Sequence, residues 1–326
     1  MAGIKIVQTA HEVPDKVVTN DELKQYMDTS DEWISSRTGI KQRHVTTTQT
    51  TADLCGAVAD RLLTDAGWSA DSLDFIVVAT MSPDYMTPAT AAIVQHHIQA
   101  TNAFAFDLNA ACSGFIYGLK VAGDLLKGGQ KRGMLIGGET LSKLVDWQER
   151  STAVLFGDGA GGVLLERVSD DDPSQFMSSD LQTLGELGGR LTAGYQPLTS
   201  PFATDDTDAH QRYFEMDGRA VYKFATRDVP KSINRALQAV DKTVNDVDYF
   251  VLHQANQRII NQIAKQLGLP IDPFLSNVAH YGNTSAASVP ILLDEAVRAG
   301  TIQRGQLIAL SGFGGGLTIG TQLIVF

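Results

Sequence analysis

The 326-residue sequence predicts a duplicated α/β fold, layered, with two buried central helices packed between two sheets. Three observations carry this. Segments of the first half recur in order in the second half, at an offset near 172–174 residues. Short apolar runs alternate with longer helical patterns, which argues for a mostly parallel sheet in each half. Two helices, one per half, are apolar nearly all round and must be buried.

The elements follow in chain order. Ile4–Val7 reads as a strand. Apolar runs at Phe75–Ala79, Phe104–Leu108, Met134–Gly138 and Gly161–Leu165 read as buried strands. The first buried helix spans 112–127 and stops at Gly128-Gly129. The first half is read as 1–166 and the second as 167–326. Residues 167–215 are polar, with Gly188-Gly189 and Asp205-Asp206-Thr207-Asp208, and read as a loop-rich insertion without a counterpart in the first half. Val244–Leu252 repeats the turn, Asp and apolar run that ends at Val78, and Arg304-Gly-Gln-Leu-Ile308 repeats Arg132-Gly-Met-Leu-Ile136. An amphipathic helix covers 254–267. The second buried helix covers Ser285–Arg298 and is stopped by Gly300. A glycine-rich segment, Phe313–Val325, loosely repeats the one that starts at Phe156.

Composition sets limits. The chain carries 26 basic and 37 acidic residues, net −11, without a basic run, which argues against nucleic-acid binding. Charged residues are 19%, below the ~25% of ordinary domains, which suggests an obligate oligomer. No apolar stretch approaches the ~18 residues of a membrane span. The start of the chain lacks a charged-then-apolar leader, and with two cysteines the expectation is a cytoplasmic protein without disulfides.

Four places could carry chemistry. Cys112 ends the stretch Asp107-Leu-Asn-Ala-Ala-Cys112, where a strand gives way to the buried helix. Free N–H groups and the dipole at a helix start favour a thiolate. A small buried hydrophobe is an equal reading from local sequence alone. Cys55 lies in a mid-helix pattern and reads as core. His253 follows the apolar run 249–252, at the strand end where α/β sheets bind ligands; a capping histidine is the plain alternative. Asn283 precedes the second buried helix and is either an N-cap or, by the repeat, within a residue or two of the counterpart of Cys112. Glycines at 312–316 would let backbone N–H groups approach an oxygen closely. Gly157–Gly162 reads as structural turn chemistry. The pair His96-His97 has no third ligand nearby, so no metal site is expected.

Six motifs then occur in order along nearly the whole chain: Trp33 with Arg37-Thr-Gly-Ile40, Ala110-Ala-Cys-Ser-Gly-Phe115, Leu155-Phe-Gly-Asp-Gly-Ala-Gly161, His253-Gln-Ala-Asn-Gln-Arg258, Tyr281-Gly-Asn-Thr-Ser-Ala-Ala-Ser288 and Gly312-Phe-Gly-Gly-Gly316. Together they resemble β-ketoacyl-[acyl carrier protein] synthase III, the condensing enzyme that starts type II fatty-acid synthesis. The resemblance implies a duplicated thiolase-type fold, layered αβαβα with two mixed sheets. It implies a catalytic set of Cys112, His253 and Asn283, and an oxyanion hole from the N–H groups of Cys112 and Gly315. It implies acyl-CoA and malonyl-acyl carrier protein as substrates, a homodimer, and neither metal nor redox cofactor.

Further positions carry over singly. Trp33 and Arg150 match the pair that sandwiches the CoA adenine. Arg37 matches a phosphate contact; Gly218, Arg219 and Tyr222 match pantetheine-tunnel positions, although Arg219 stands where the family often has Asn. The carrier protein is acidic, so docking on a chain of net −11 needs a local basic patch. Lys223, Arg258 and Lys265 are the expected one. Met86, Thr87 and Phe313 are the expected acyl-pocket residues, with Thr87 reaching the pocket of the partner subunit; its small side chain suggests primers longer than acetyl. A thiolase would need a second catalytic Cys in the last glycine loop, and an elongating synthase a second His in place of Asn283. A secondary-metabolite starter synthase is the alternative enzyme. A non-catalytic acyl- or CoA-binding subunit is the alternative outside catalysis, though such subunits lose the nucleophile.

Overall fold

The computed structural model describes residues 3–169, 171–198, 200–202 and 212–326. The acidic stretch 205–208 lies outside the described residues. The first half runs β1 (Gly3–Glu12), β2 (Val17–Thr19), α1 (Asp31–Thr38), β3 (Gln42–His44), α2 (Thr51–Ala66), β4 (Phe75–Ala79), α3 (Thr90–His97), β5 (Phe104–Leu108), α4 (Gly114–Lys127), β6 (Arg132–Glu139), α5 (Arg150–Ala153) and β7 (Gly159–Val168). The second runs β8 (Gln175–Thr183), β9 (Leu191–Thr192), β10 (Glu215–Met216), α6 (Gly218–Gln238), β11 (Tyr249–Leu252), α7 (Gln257–Leu267), α8 (Val278–Tyr281), α9 (Ser288–Arg298), β12 (Leu307–Gly314) and β13 (Thr318–Val325).

Two sheets dominate, in the orders β1-β7-β6-β4-β5 and β11-β12-β13-β8. Alternation along each strand sorts its side chains into layers. Ile76 and Val78 of β4 face Leu54, Val58, Leu62 and Val94 of α2 and α3. Phe75 and Val77 face inward, with Phe115, Ile116, Leu119 and Leu126 of α4. The same inner core holds Val289, Leu292 and Leu293 of α9, and Val251, Leu310 and Ile324 of the second sheet. Phe250, Leu252 and Leu323 face outward against Phe224, Ile233, Ile259 and Ile263 of α6 and α7. The result is five layers, α/β/α/β/α, with α4 and α9 in the middle.

Local chemistry supports each helix that frames the site. A capping box of Thr50 and Asp53 starts α2. Asn256 caps α7 by accepting from the Ile259 N–H, and Gly268 ends it at φ 73°. α4 fits between the sheets because Gly118 is small: a Cβ there would lie 2.5 Å from Leu135 Cδ1.

Three sequence expectations need correction. Only three of the seven pairings in the two main sheets are parallel, β4–β5, β4–β6 and β11–β12. β7 and β13 return antiparallel beside β6 and β12, and β1 and β8 flank them antiparallel. Residues 175–183, read as loop-rich and without a counterpart, form β8, which holds in the second sheet the edge place that β1 holds in the first. Their half-buried, polar sequence hid the strand. The repeat spacing also fails at the last strand: residues 140–158 separate β6 from β7, whereas 315–317 join β12 to β13.

Gly137 on β6 faces the turn at 285–287, and a Cβ there would lie 2.3 Å from the Ala286 carbonyl oxygen. That partner is backbone and has little room to yield. Gly137→Ala is expected to cost about 1–3 kcal/mol. A urea midpoint lowered at unchanged slope checks it; an unchanged midpoint contradicts the fit described here.

Candidate active site

A cavity of ≈ 780 Å³ is lined by Trp33, Arg37, Cys112, His253, Asn283, Phe313 and Gly315, among others. Three strand ends and two tight turns deliver these residues. Cys112 sits in a 3-10 turn, Ala111–Ser113, between β5 and α4. Ala111 adopts φ 47°, a left-handed conformation that disfavours a Cβ. The Asn109 side chain holds it by accepting from the Ala111 N–H at 3.0 Å. The Ser113 hydroxyl donates to the Ala110 carbonyl or Thr318 Oγ1, both at 2.7 Å. β12 ends directly beneath: a Cβ on Gly314 would lie 2.8 Å from the Cys112 nitrogen. Glycine is required there for the two backbones to meet.

The second turn is a copy of the first. Ser285 takes φ 49° at the start of the 3-10 turn Ser285–Ala287. Asn283 Oδ1 accepts from the Ser285 N–H at 2.9 Å. The counterpart of Cys112 is therefore Ala286, and Asn283 matches Asn109, three residues from that counterpart where one or two were expected. Main-chain bonds from Asn283 N to Leu155 O (2.9 Å) and from Gly157 N to Asn283 O (3.0 Å) strap Asn283 to the 155–157 segment. With Oδ1 engaged, its Nδ2 is left to donate.

His253 closes β11. Its N–H donates to the Ser311 carbonyl at 2.8 Å. Its Nδ1 lies 2.7 Å from Ser288 Oγ, and its ring meets Phe313 edge-on at 5.0 Å. Burial pushes its pKa down to about 3, so the ring is neutral near neutral pH. Burial also pushes the Cys112 thiol up to about 12, aided by the Glu139 charge and opposed by the Ser285 hydroxyl. The helix-start effect anticipated for Cys112 is thus outweighed by desolvation: the Cys112 side chain rests as a thiol.

The geometry matches a known group of proteins. The family profile "3-Oxoacyl-[acyl-carrier-protein (ACP)] synthase III" matches residues 106–185, and its C-terminal companion matches 237–326. The β-ketoacyl-[acyl-carrier-protein] synthase III of Lactobacillus helveticus is 55% identical over 323 residues, covering 99% of this chain and 98% of that one. The chain belongs to this synthase family. The crystal structure of 3-oxoacyl-[acyl-carrier-protein] synthase III from Aquifex aeolicus superposes with a TM-score of 0.92 at 39% identity, covering 99% of this chain and 100% of that one. The priming β-ketosynthase of the R1128 polyketide pathway superposes at 0.91 with 31% identity, covering 99% and 96%. The thiolase-type fold, the condensing acyltransferase class and the place at the start of fatty-acid synthesis follow.

The structure places the other expected residues unevenly in the synthase. Gly218, Tyr222 and Phe313 line the cavity; Arg219 does not. Trp33 and Arg37 line it too, but Arg150 lies over the Trp33 ring, its Cζ 4.5 Å from the centroid, and Arg37 lies at 4.7 Å. The slot expected between Trp33 and Arg150 is therefore filled by the arginine itself. Met86 and Thr87 are exposed and outside the cavity of their own chain. Lys223, Arg258 and Lys265 are exposed on α6 and α7, and none is in an ion pair among the described residues. Cys55 is fully buried core on α2. His97 binds Asp60 at 2.7 Å, tying α3 to α2. Among the described residues no group of three His, Cys, Asp or Glu could hold a metal, and no helix is long and apolar enough to cross a membrane.

Sequence reasoning missed Glu139. It ends β6, is fully buried, and accepts from Thr80 Oγ1, from the Met81 and Ser82 N–H groups, and from Ser82 Oγ at 2.5 Å. Desolvation pushes its pKa up to about 7 despite those bonds. An acid closing an apolar run was the available signal. Its charge opposes the Cys112 thiolate. Below about pH 6 Glu139 is neutral, so Glu139→Gln and the parent protein are expected to react alike with iodoacetamide. Above about pH 8 the parent carries the charge and the variant does not, so the variant is expected to alkylate at Cys112 roughly tenfold faster. Parallel rate–pH curves would contradict the coupling.

Proposed function

We propose that this cavity runs a two-stage decarboxylative Claisen condensation on acyl-CoA and malonyl-acyl carrier protein. The observation that carries it is the convergence of Cys112, His253 and Asn283 on one cavity, with a neutral imidazole and a free side-chain amide as donors. The Cys112 sulfur attacks the acyl-CoA carbonyl. The bond to the CoA sulfur breaks, and the thiol proton leaves with CoA. The N–H groups of Cys112 and Gly315 hold the acyl oxygen during attack. Malonyl-acyl carrier protein then enters, its carboxyl carbon departs as CO2, and the electron pair passes to the thioester oxygen. His253 Nε2–H and Asn283 Nδ2 donate to that oxygen. Neutral donors suit the step, because a cation would hold the carboxylate. The new α-carbon attacks the acyl group, the Cys112–acyl bond breaks with its electron pair on sulfur, and the sulfur takes a proton from solvent, which restores the thiol and releases β-ketoacyl-acyl carrier protein.

Trp33, Arg37 and Arg150 present two guanidiniums and an indole at the cavity, chemistry suited to a nucleotide with phosphates. Binding of the adenine between Trp33 and Arg150 requires Arg150 to leave the ring. A homodimer is supported by the outer edge of β5, where Phe104 is 45% exposed, and by Tyr85 and Met86, 62% and 81% exposed. In such a dimer Thr87, exposed in the same loop, reaches the partner's cavity and sets primer length. Lys223, Arg258 and Lys265 form the docking patch for the acidic carrier protein.

Two experiments test this reading. Incubation with a panel of acyl-CoAs is expected to add one acyl mass, absent in Cys112→Ser. No adduct from any acyl-CoA would remove the CoA-primed reaction. Arg258→Glu is expected to weaken use of malonyl-acyl carrier protein and spare acyl transfer from CoA. Equal loss of both half-reactions would sink the docking assignment.

A further inference from the structure

A neutral imidazole has one N–H, and His253 must present it at Nε2 to donate into the cavity. Its Nδ1 has one partner among the described residues, Ser288 Oγ at 2.7 Å. Both residues are buried, at 1% and 2% exposure, so water does not decide the matter. The Ser288 hydroxyl also has one proton and two acceptors within reach. The Ser285 carbonyl lies at 2.8 Å and His253 Nδ1 at 2.7 Å.

Two arrangements are therefore possible. In one, Ser288 donates to the Ser285 carbonyl and accepts from Nδ1–H. Nε2 is then bare and turns a lone pair toward the cavity. In the other, Ser288 donates to Nδ1, and Nε2 carries the proton. The second leaves no carbonyl orphaned, because the Ser285 oxygen also accepts from the Ser288 main-chain N–H. The Gln254 N–H, 3.4 Å from Ser288 Oγ, points a donor at the hydroxyl in both cases. The two arrangements are thus close in hydrogen-bond count, and a developing negative oxygen in the cavity favours the second.

We infer that Ser288 is the positioning residue that sets the tautomer of His253, and that its donation to Nδ1 makes the imidazole a hydrogen-bond donor toward the reacting thioester. The inference rests on the reading of His253 as the donor in decarboxylation. Ser288 touches neither substrate; it acts through the ring. The serine opens the first turn of α9, three residues after the left-handed residue Ser285, so the twin of the Cys112 turn serves the second half-reaction.

The test reads the ring itself as well as activity. In protein labelled with 15N-histidine and acylated on Cys112, the His253 signal is identified by its loss in His253→Asn. The expected spectrum shows Nε2 protonated and Nδ1 bare, with the Nδ1 resonance moved in Ser288→Ala and restored in Ser288→Thr. Ser288→Ala should lower malonyl-acyl carrier protein decarboxylation by about tenfold or more, with acyl loading from acyl-CoA unchanged. Ser288→Thr should recover most of the loss, which separates a hydroxyl effect from damaged packing. A protonated Nδ1 in the acylated parent, or an Nδ1 resonance identical in Ser288→Ala, would overturn the inference. Because the spectrum needs no carrier protein, that outcome stands apart from failure of the condensation itself, which the adduct experiment reads.

Discussion

The close packing of two backbones at the centre of the molecule constrains everything else. The end of β12 runs against the turn that holds Cys112, with Gly312 and Gly314 in the places where a side chain would collide with Cys112 and Ser113. That approach joins the two halves at one point. It also puts the Gly315 backbone beside Cys112 in the cavity without any side chain having to reach across. α4 and α9, buried between the sheets, hold the two turns in register. A shift of either helix would move the reacting groups of both halves together.

Enclosure explains the electrostatics. Cys112, His253 and Glu139 are all deprived of water, and each is driven toward its neutral form: the thiol up, the imidazole down, the carboxyl up. Near neutral pH the thiol and the imidazole are uncharged, while Glu139 stands near the midpoint of its titration. Oriented donors such as the Asn283 amide act strongly on negative charge in a medium of such low polarity.

Much of this was legible in the sequence, for definite reasons. Strands buried on both faces leave continuous apolar runs, so β4, β6 and β11 stood out; β5, a partly exposed edge strand, was found by its Phe104-Ala-Phe106 run. Helices buried over most of their surface have a wide apolar face, so α4 and α9 stood out too, although Tyr117, Lys120, Asp124 and Lys127 give α4 a narrow, partly exposed stripe. Cys112, His253 and Asn283 were found because each follows a strand or precedes a helix in a short, distinctive motif. β8 was not, since an edge strand with Ser, Asp and Gln at alternate places carries no apolar run. Glu139 was passed over because burial is a property of the fold, and an acid closing an apolar run, the one signal available, reads equally well as the polar end of a strand. The stacking of Arg150 on Trp33 depends on segments far apart in the chain, which no local pattern encodes. Met86 and Thr87 could be named from the motif, but one chain does not bring them to its own cavity.

The twin turns say something about history. Ala111 and Ser285 share nearly the same left-handed φ, and Asn109 and Asn283 brace them in the same way. Yet one turn bears a thiol and the other, at Ala286, a methyl group. A distortion kept where there is no nucleophile did not arise to activate one. It is the bend a chain must make to leave a sheet and enter a helix lodged between two sheets. Two copies of the same bend were available, and they diverged: one carries the Cys112 thiol, and the other presents the Asn283 amide to the same cavity. In this molecule shape was inherited twice, and chemistry was divided between the heirs.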